Sequence, residues 1–176
     1  MHEEEQDGVA ALGRRGQTVP LDAAERAEWQ HRFNRAPAIR GFGARIDLAD
    51  SRVIRVALDA IEDRHRGGLG TAAVNGAVLA ALFDCALGVA GALQFPGRRS
   101  ATCELSIKFM RPVPGPTVTA YAVILKKATQ LAFADSELYS NGRLCAIASG
   151  IVSVVTSAVE IEGVAGNTER FAPPGV

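Results

Sequence analysis

Asn75-Gly76-Ala77-Val78-Leu79-Ala80-Ala81-Leu82-Phe83-Asp84-Cys85-Ala86-Leu87-Gly88-Val89-Ala90-Gly91-Ala92-Leu93 is the stretch that decides how this chain folds. Asp84 is the only acidic or basic residue between Arg66 and Arg98. A carboxylate in so apolar a run is costly unless it is paired or put to use. The run approaches the ~17 residues a membrane-spanning helix needs. Ala and Gly dominate it, however, and Asp at its centre would cost roughly 2.5–3.5 kcal/mol on insertion. Its flanks read as strands of a soluble domain. The run is therefore predicted to be the buried helix of such a domain, and no membrane partner is expected.

Outward from the helix, the chain is mostly strand. Cys103, Leu105, Ile107 and Phe109 alternate with Thr102, Glu104, Ser106 and Lys108, the clearest period of two in the sequence. Residues 117–126, 131–139 and 143–155 read as three more strands, the last two joined at Asn141-Gly142, a type I′ hairpin signal. Before the helix, Ile54, Val56 and Leu58 alternate with Arg55, Ala57 and Asp59, another strand with one buried face. Asp22-Ala23-Ala24-Glu25 is a capping-box start for a short helix carrying Ala27, Trp29 and Phe33, ended by Pro37, Gly41 and Gly43. Residues 1–19 lack periodicity and are expected to be disordered, residues 20–157 to form one domain, and residues 158–176 to be a loose tail. The order predicts an α+β fold in which one curved antiparallel sheet wraps a helix that is apolar nearly all round. An open sheet edge or an uncovered helix face then invites a two-fold dimer.

Composition removes several classes of function. Of 176 residues, 19 are basic and 19 acidic, which leaves no electrostatic footprint for nucleic acid. Cys85, Cys103 and Cys145 are too dispersed for a disulfide frame or a metal site, and the three histidines (His2, His31, His65) are scattered. No metal or redox cofactor is expected. The acidic start Met1-His2-Glu3-Glu4-Glu5 is unlike a secretory signal, so the cytoplasm is the expected compartment.

Few motifs carry chemistry. Gly68-Leu69-Gly70-Thr71-Ala72-Ala73 fits the dinucleotide pattern G-x-G-x-x-A, but a charged run precedes it and no βαβ unit follows, so it reads as a loop. No Gly-x-Ser-x-Gly elbow is present. Gly76 opens the central helix, where backbone N–H groups lack intrahelical partners and a ligand carbonyl can approach the backbone. That is the requirement for an oxyanion hole. The alternative is that Asn75 is an N-cap and Gly76 a packing contact. Asp84 follows eight residues later, about 12 Å along the helix axis, so the two cannot act on one atom within one chain. Two antiparallel helices across a dimer axis could bring Gly76 of one copy to Asp84 of the other. Otherwise Asp84 is a structural carboxylate bonded to backbone N–H groups.

The segment Asn75-Gly76…Asp84…Gly88 resembles the His-Gly-Gly-x-x-x-x-x-x-Asp segment of hot-dog acyl-CoA thioesterases of the PaaI (phenylacetic acid degradation) type. The strand over 100–110 and the meander after it are similar to that family as well, over roughly residues 44 to 156. The resemblance implies a hot-dog fold, a homodimer paired again into a homotetramer, and active sites at the subunit boundary. It implies that the Gly76 N–H polarises the thioester carbonyl and that Asp84 of the other copy is general base or nucleophile. Thr102, on the polar face of its strand, would help to hold the water. Asn75 stands where the family has His, Ala77 where a second Gly is common, and Leu69 near a usual Asn. A thiolate with a pKa of about 8.5, like that of cysteine, leaves without a general acid, so the chemistry tolerates Asn75.

The expected activity is thioester hydrolysis, with coenzyme A entering only as part of the substrate. Arg98, Arg99 and Arg111, and also Lys126 and Lys127, lie in predicted turns where they could meet its phosphates. The rival readings are a protein that binds acyl-CoA without hydrolysing it, and a hot-dog hydratase or dehydratase. The latter needs a proton relay, for which only His65 is available, on what reads as a charged surface loop.

Overall fold

Apolar side chains of the central run recur at positions 79, 82, 83, 86, 87, 90 and 93, the three-and-four spacing of one helical face. In the computed structural model, which describes residues 2–68 and 72–155, they form a helix over Gly76–Leu93 with that face fully buried. This helix, α4, is preceded by α1 (Glu3–Arg15), α2 (Ala23–Arg35), α3 (Pro37–Phe42), β1 (Arg45–Asp47), β2 (Ile54–Leu58), a 3-10 turn (Asp63–His65), β3 (Arg66–Gly68) and β4 (Ala73–Val74). After it come β5 (Ser100–Phe109), β6 (Val118–Lys127), β7 (Leu131–Ser140) and β8 (Arg143–Val154).

Six strands form one antiparallel sheet in the order β1-β2-β6-β7-β8-β5. Helix α4 touches β2, β6, β7, β8 and β5. At ~4.8 Å per strand those five span about 19 Å, nearly twice the width of a helix, so the sheet must curl around α4. This is the hot-dog arrangement that the sequence predicts. Asn141 and Gly142, both at positive φ (52° and 74°), make the expected tight turn between β7 and β8. The run that passes for a membrane span by length and composition is thus the core helix of the domain.

Two expectations fail. Helix α4 is not wrapped on every side: Ala77 and Asp84 are exposed, and Ala81, Cys85 and Gly88 only half-buried. Asp84 thus points away from the core, with apolar residues on both sides of it in sequence but its carboxylate exposed on the single chain. Residues 3–15, expected to be disordered, form α1 on the outer face of the sheet. Leu12 of α1 packs with Val53, Tyr121, Val123 and Tyr139, and Tyr121 donates a 2.8 Å hydrogen bond to Glu5. Glu3–Glu5 in its first turn and Arg14-Arg15 in its last also complement the helix dipole. Because α1 lies outside and α4 inside, β6 is buried on both faces from Val118 to Ile124. The tail expected at 158–176 lies outside the described residues.

The two sheet edges are treated differently. On β1, Asn34 of α2 accepts from Ile46 N–H and donates to the Ile46 carbonyl, both at 2.8 Å. Gln30 accepts from Leu48 N–H at 2.7 Å. Side-chain amides thus occupy the bonding positions of a missing neighbour strand and close that edge. Strand β5 ends the sheet on the other side, with no further strand beside it among the described residues.

Gly91 of α4 sets how closely helix and sheet approach: a Cβ there would stand 2.5 Å from Cβ of Val152 on β8. Gly91→Ala is expected to lower stability by about 1–3 kcal/mol, because a β-branched carbon cannot step aside. Gly41→Ala, where a Cβ meets nothing within 4 Å, should raise it by about 0.4–1 kcal/mol. Urea unfolding midpoints for the two variants check both signs.

Candidate active site

Strand β5 does not keep a strict alternation. Its pairing with β8 shifts between Thr102 and Glu104, leaving Cys103 as the extra residue of a β-bulge. Beyond the bulge Leu105 and Ile107 pack against the core as expected. Before it, the phase is reversed, and Thr102 turns inward instead of lying on the polar outer face that the sequence pattern predicts. Its Oγ1 lies 3.4 Å from where a Cβ on Gly88 would stand, and Gly88 is one helical turn beyond Asp84. Re-aiming a side chain beside a site is a common use of a bulge.

Asp84, Gly88 and Thr102 line one wall of a cavity of about 410 Å³. Its opposite wall is α2, which presents Trp29 and Phe33, their rings stacked at 5.4 Å. Leu93 and Phe95 contribute further apolar surface, and Arg98 and Arg99, both exposed, also border it. Trp29 and Phe33 enter the sequence reading only as helix-forming residues. Their i, i+4 spacing on an otherwise polar helix is the signal that they share a face with something to cover.

Gly76 belongs to a second cavity, of about 330 Å³, formed with Leu79, Phe109, Met110 and Arg111. Asn75 accepts a 2.9 Å hydrogen bond from Ala77 N–H through its side-chain oxygen, so it is the N-cap of α4. The Gly76 N–H has no hydrogen-bond partner among the described residues, as expected for a donor in a first helical turn. Phe109 and Met110 beside it are 54% and 47% exposed, unusual for large apolar side chains. The Arg111 guanidinium donates to the Leu144 carbonyl. The chain therefore brings Asp84, Thr102, Arg98 and Arg99 to one cavity, and Gly76 and Arg111 to another. Lys126 and Lys127 line neither; Lys127 sits over the Phe95 ring at 5.0 Å.

His65 is not on a surface loop. It is buried, its Nδ1 accepting from Glu62 N–H at 3.0 Å and its Nε2 3.1 Å from the Phe42 carbonyl. An acceptor role for Nδ1 leaves the proton on Nε2, facing that carbonyl. Both nitrogens are thus engaged in holding the loop whose His65 carbonyl receives Asn75 N–H at 2.8 Å. No nitrogen remains to relay a proton. Leu69 lies outside the described residues.

Residues 72–147 match the family model of the thioesterase superfamily, a span that contains Asn75, Gly76, Asp84 and Thr102. Among solved structures, the fold is similar to a thioesterase from Haemophilus influenzae, with a TM-score of 0.67 and 18% identity over 78% of this chain and 94% of that one. It is also similar to the PaaI protein of the phenylacetic acid degradation operon of E. coli, at 0.64 and 20% over 82% and 96%. A variant of the phenylacetic acid degradation protein PaaI from Thermus thermophilus matches at 0.60 and 23% over 68% and 100%. At these identities the structures speak for the fold, which is that of the PaaI-type hot-dog proteins, as the resemblance implies. The family match supports thioester hydrolysis as the class of reaction. No curated protein matches the chain.

Beside Asp84, the Cys85 thiol is pushed up to about 11, first by burial and then by the negative charge of Asp84. Alkylation of Cys85 by iodoacetamide needs the thiolate. Its rate is expected to be slow at neutral pH and to climb about tenfold per pH unit toward 11. Asp84→Asn removes the repelling charge and should speed the reaction at a given pH. Mass spectrometry of the Cys85 peptide reads both effects.

Proposed function

We propose that this chain is an acyl-CoA thioesterase that works in the cytoplasm as a homodimer, with each active site shared between two copies. The observation that carries the reading is the division of the site. Gly76, whose N–H has no partner among the described residues, and Asp84 lie on one helix but in different cavities, and Thr102 of β5 shares the cavity of Asp84. Neither cavity holds both an oxyanion donor and a base. The exposed side of α4, the free edge of β5 and the exposed Phe109 and Met110 form a surface suited to a second copy. Two-fold association with the helices antiparallel would set each Gly76 against the other copy's Asp84. Pairing of two such dimers is the further step the family resemblance implies.

In this mechanism the Gly76 N–H donates to the thioester carbonyl and stabilises the oxyanion as water adds to the carbonyl carbon. Asp84 takes the proton of that water, which the Thr102 hydroxyl helps to hold. The tetrahedral intermediate then collapses and expels the coenzyme A thiolate, which needs no acid at neutral pH. The same geometry would allow Asp84 to attack directly, with water releasing the acyl group afterwards. Arg111 borders the Gly76 cavity and Arg98 and Arg99 the other, all available to phosphates at the rim. Asn75 acts through the backbone, holding the first turn of α4 so that the Gly76 N–H points outward. The engaged nitrogens of His65 weigh against the hydratase reading.

Free thiol released from a panel of acyl-CoA thioesters tests the activity directly. Asp84→Ala is expected to lower kcat by about 10²–10⁴-fold. Gly76→Pro removes the N–H at the helix position most tolerant of proline, and should lower kcat by about 10²–10³-fold with the fold retained. Mixing the two inactive variants tests the sharing. In a mixed dimer one site has lost both groups and the other has both intact. Random assortment should restore roughly a quarter of wild-type activity. Verified mixed dimers that remain inactive would overturn the shared site. Binding of the thioesters without thiol release from the wild type would overturn hydrolysis itself.

A further inference from the structure

The cavity beside Asp84 is larger than a site for water activation requires, and its walls are specific about what can fill it. Resting on the thioesterase reading above, we propose that this cavity holds the acyl group, that the acyl group is an unsubstituted medium-length alkyl chain, and that Trp29 and Phe33 determine how long it can be. The polar side chains of Asp84 and Thr102 stand where the thioester would lie, and Ser100, Arg98 and Arg99 line the β5 side. Between them the lining is apolar: Trp29 and Phe33 on one side, Gly88, Ala92 and Leu93 on the other. A hydroxyl or amide on the part of the acyl group that lies against Trp29, Phe33, Ala92 and Leu93 would lose its water without a replacement bond.

Volume bounds the length. At about 30 Å³ per water-sized group, 410 Å³ holds on the order of ten methylene-sized groups once imperfect packing is allowed for. An octanoyl chain fits, a palmitoyl chain overruns, and an acetyl group leaves the cavity nearly empty. The roof that sets this limit is a helix with no buried residue, held to β1 by Asn34 and Gln30 and turning Trp29 and Phe33 toward α4. The rigid polar clamp fixes the height of the aromatic pair above Gly88 and Ala92. With the acyl group on this side, coenzyme A would extend toward the Gly76 cavity of the second copy, a cavity that Arg111 lines.

Trp29 is the sole tryptophan of the chain, so its fluorescence reports occupancy of the cavity independently of turnover. Octanoyl-CoA added to full-length Asp84→Asn protein is expected to change Trp29 emission saturably, while coenzyme A and acetyl-CoA leave it unchanged. An equal response to coenzyme A alone, or none to octanoyl-CoA, overturns the acyl assignment. In wild-type turnover, kcat/KM should rise about threefold to fourfold per methylene from butyryl- to octanoyl-CoA, then fall for palmitoyl-CoA. Phe33→Ala should move the optimum to longer chains, and a profile that stays put overturns the role of the roof. A wild type that gives the Trp29 response but releases no thiol would sink the hydrolytic reading and leave the cavity assignment standing.

Discussion

The seating of Leu79, Leu82, Phe83, Ala86, Leu87, Ala90 and Leu93 in the inner face of the sheet fixes the rotation of α4 about its axis. Each buried Leu or Phe among them contributes about 1.5–3 kcal/mol, so the helix cannot turn to hide its polar residue without losing several of them. Asp84 must therefore face away from the sheet, and Gly88, one turn later on that side, leaves room for Thr102. The same rotation puts the first turn of the helix, with Gly76, against Phe109. Placement of both halves of the proposed site follows from apolar packing that itself takes no part in the proposed chemistry.

Much of this was legible in the sequence because it depended on periodicity. The three-and-four spacing of the core helix, the strand alternation in β2 and in β5 from Leu105 onward, and the Asn141-Gly142 turn each point to a single local structure. The orientation of Thr102 was not legible, since a bulge is decided by how β5 is accommodated against β8 and not by the residues of β5 alone. Residues 3–15 were misread for a similar reason. Their apolar positions, Val9 and Leu12, are too few to announce a helix, and they order only because Val53, Tyr121 and Tyr139 wait for them on the sheet. Asp84 stands out in the sequence as a lone charge, and its apolar neighbours there imply a buried carboxylate. In space those neighbours turn toward the sheet, and the carboxylate is exposed on the single chain.

His65 illustrates how a titratable residue can matter to a site without entering its chemistry. Its ring ties the loop at Glu62 to the Phe42 carbonyl, and its own carbonyl anchors Asn75. The start of α4 is thereby held from behind by a histidine and from within by an asparagine cap. The resemblance places Asn75 where the family has His. In this chain the cap is made by the Asn75 amide, whose bonding does not change with pH near neutrality.

The first helix has a practical consequence. Without residues 3–15 the back of the sheet would present Val53, Tyr121, Val123 and Tyr139 to water as one contiguous apolar patch, a surface prone to self-association and aggregation. A terminus that looks dispensable for expression is thus part of what keeps the protein soluble. Trimming it would put at risk the handling of the molecule before touching its chemistry.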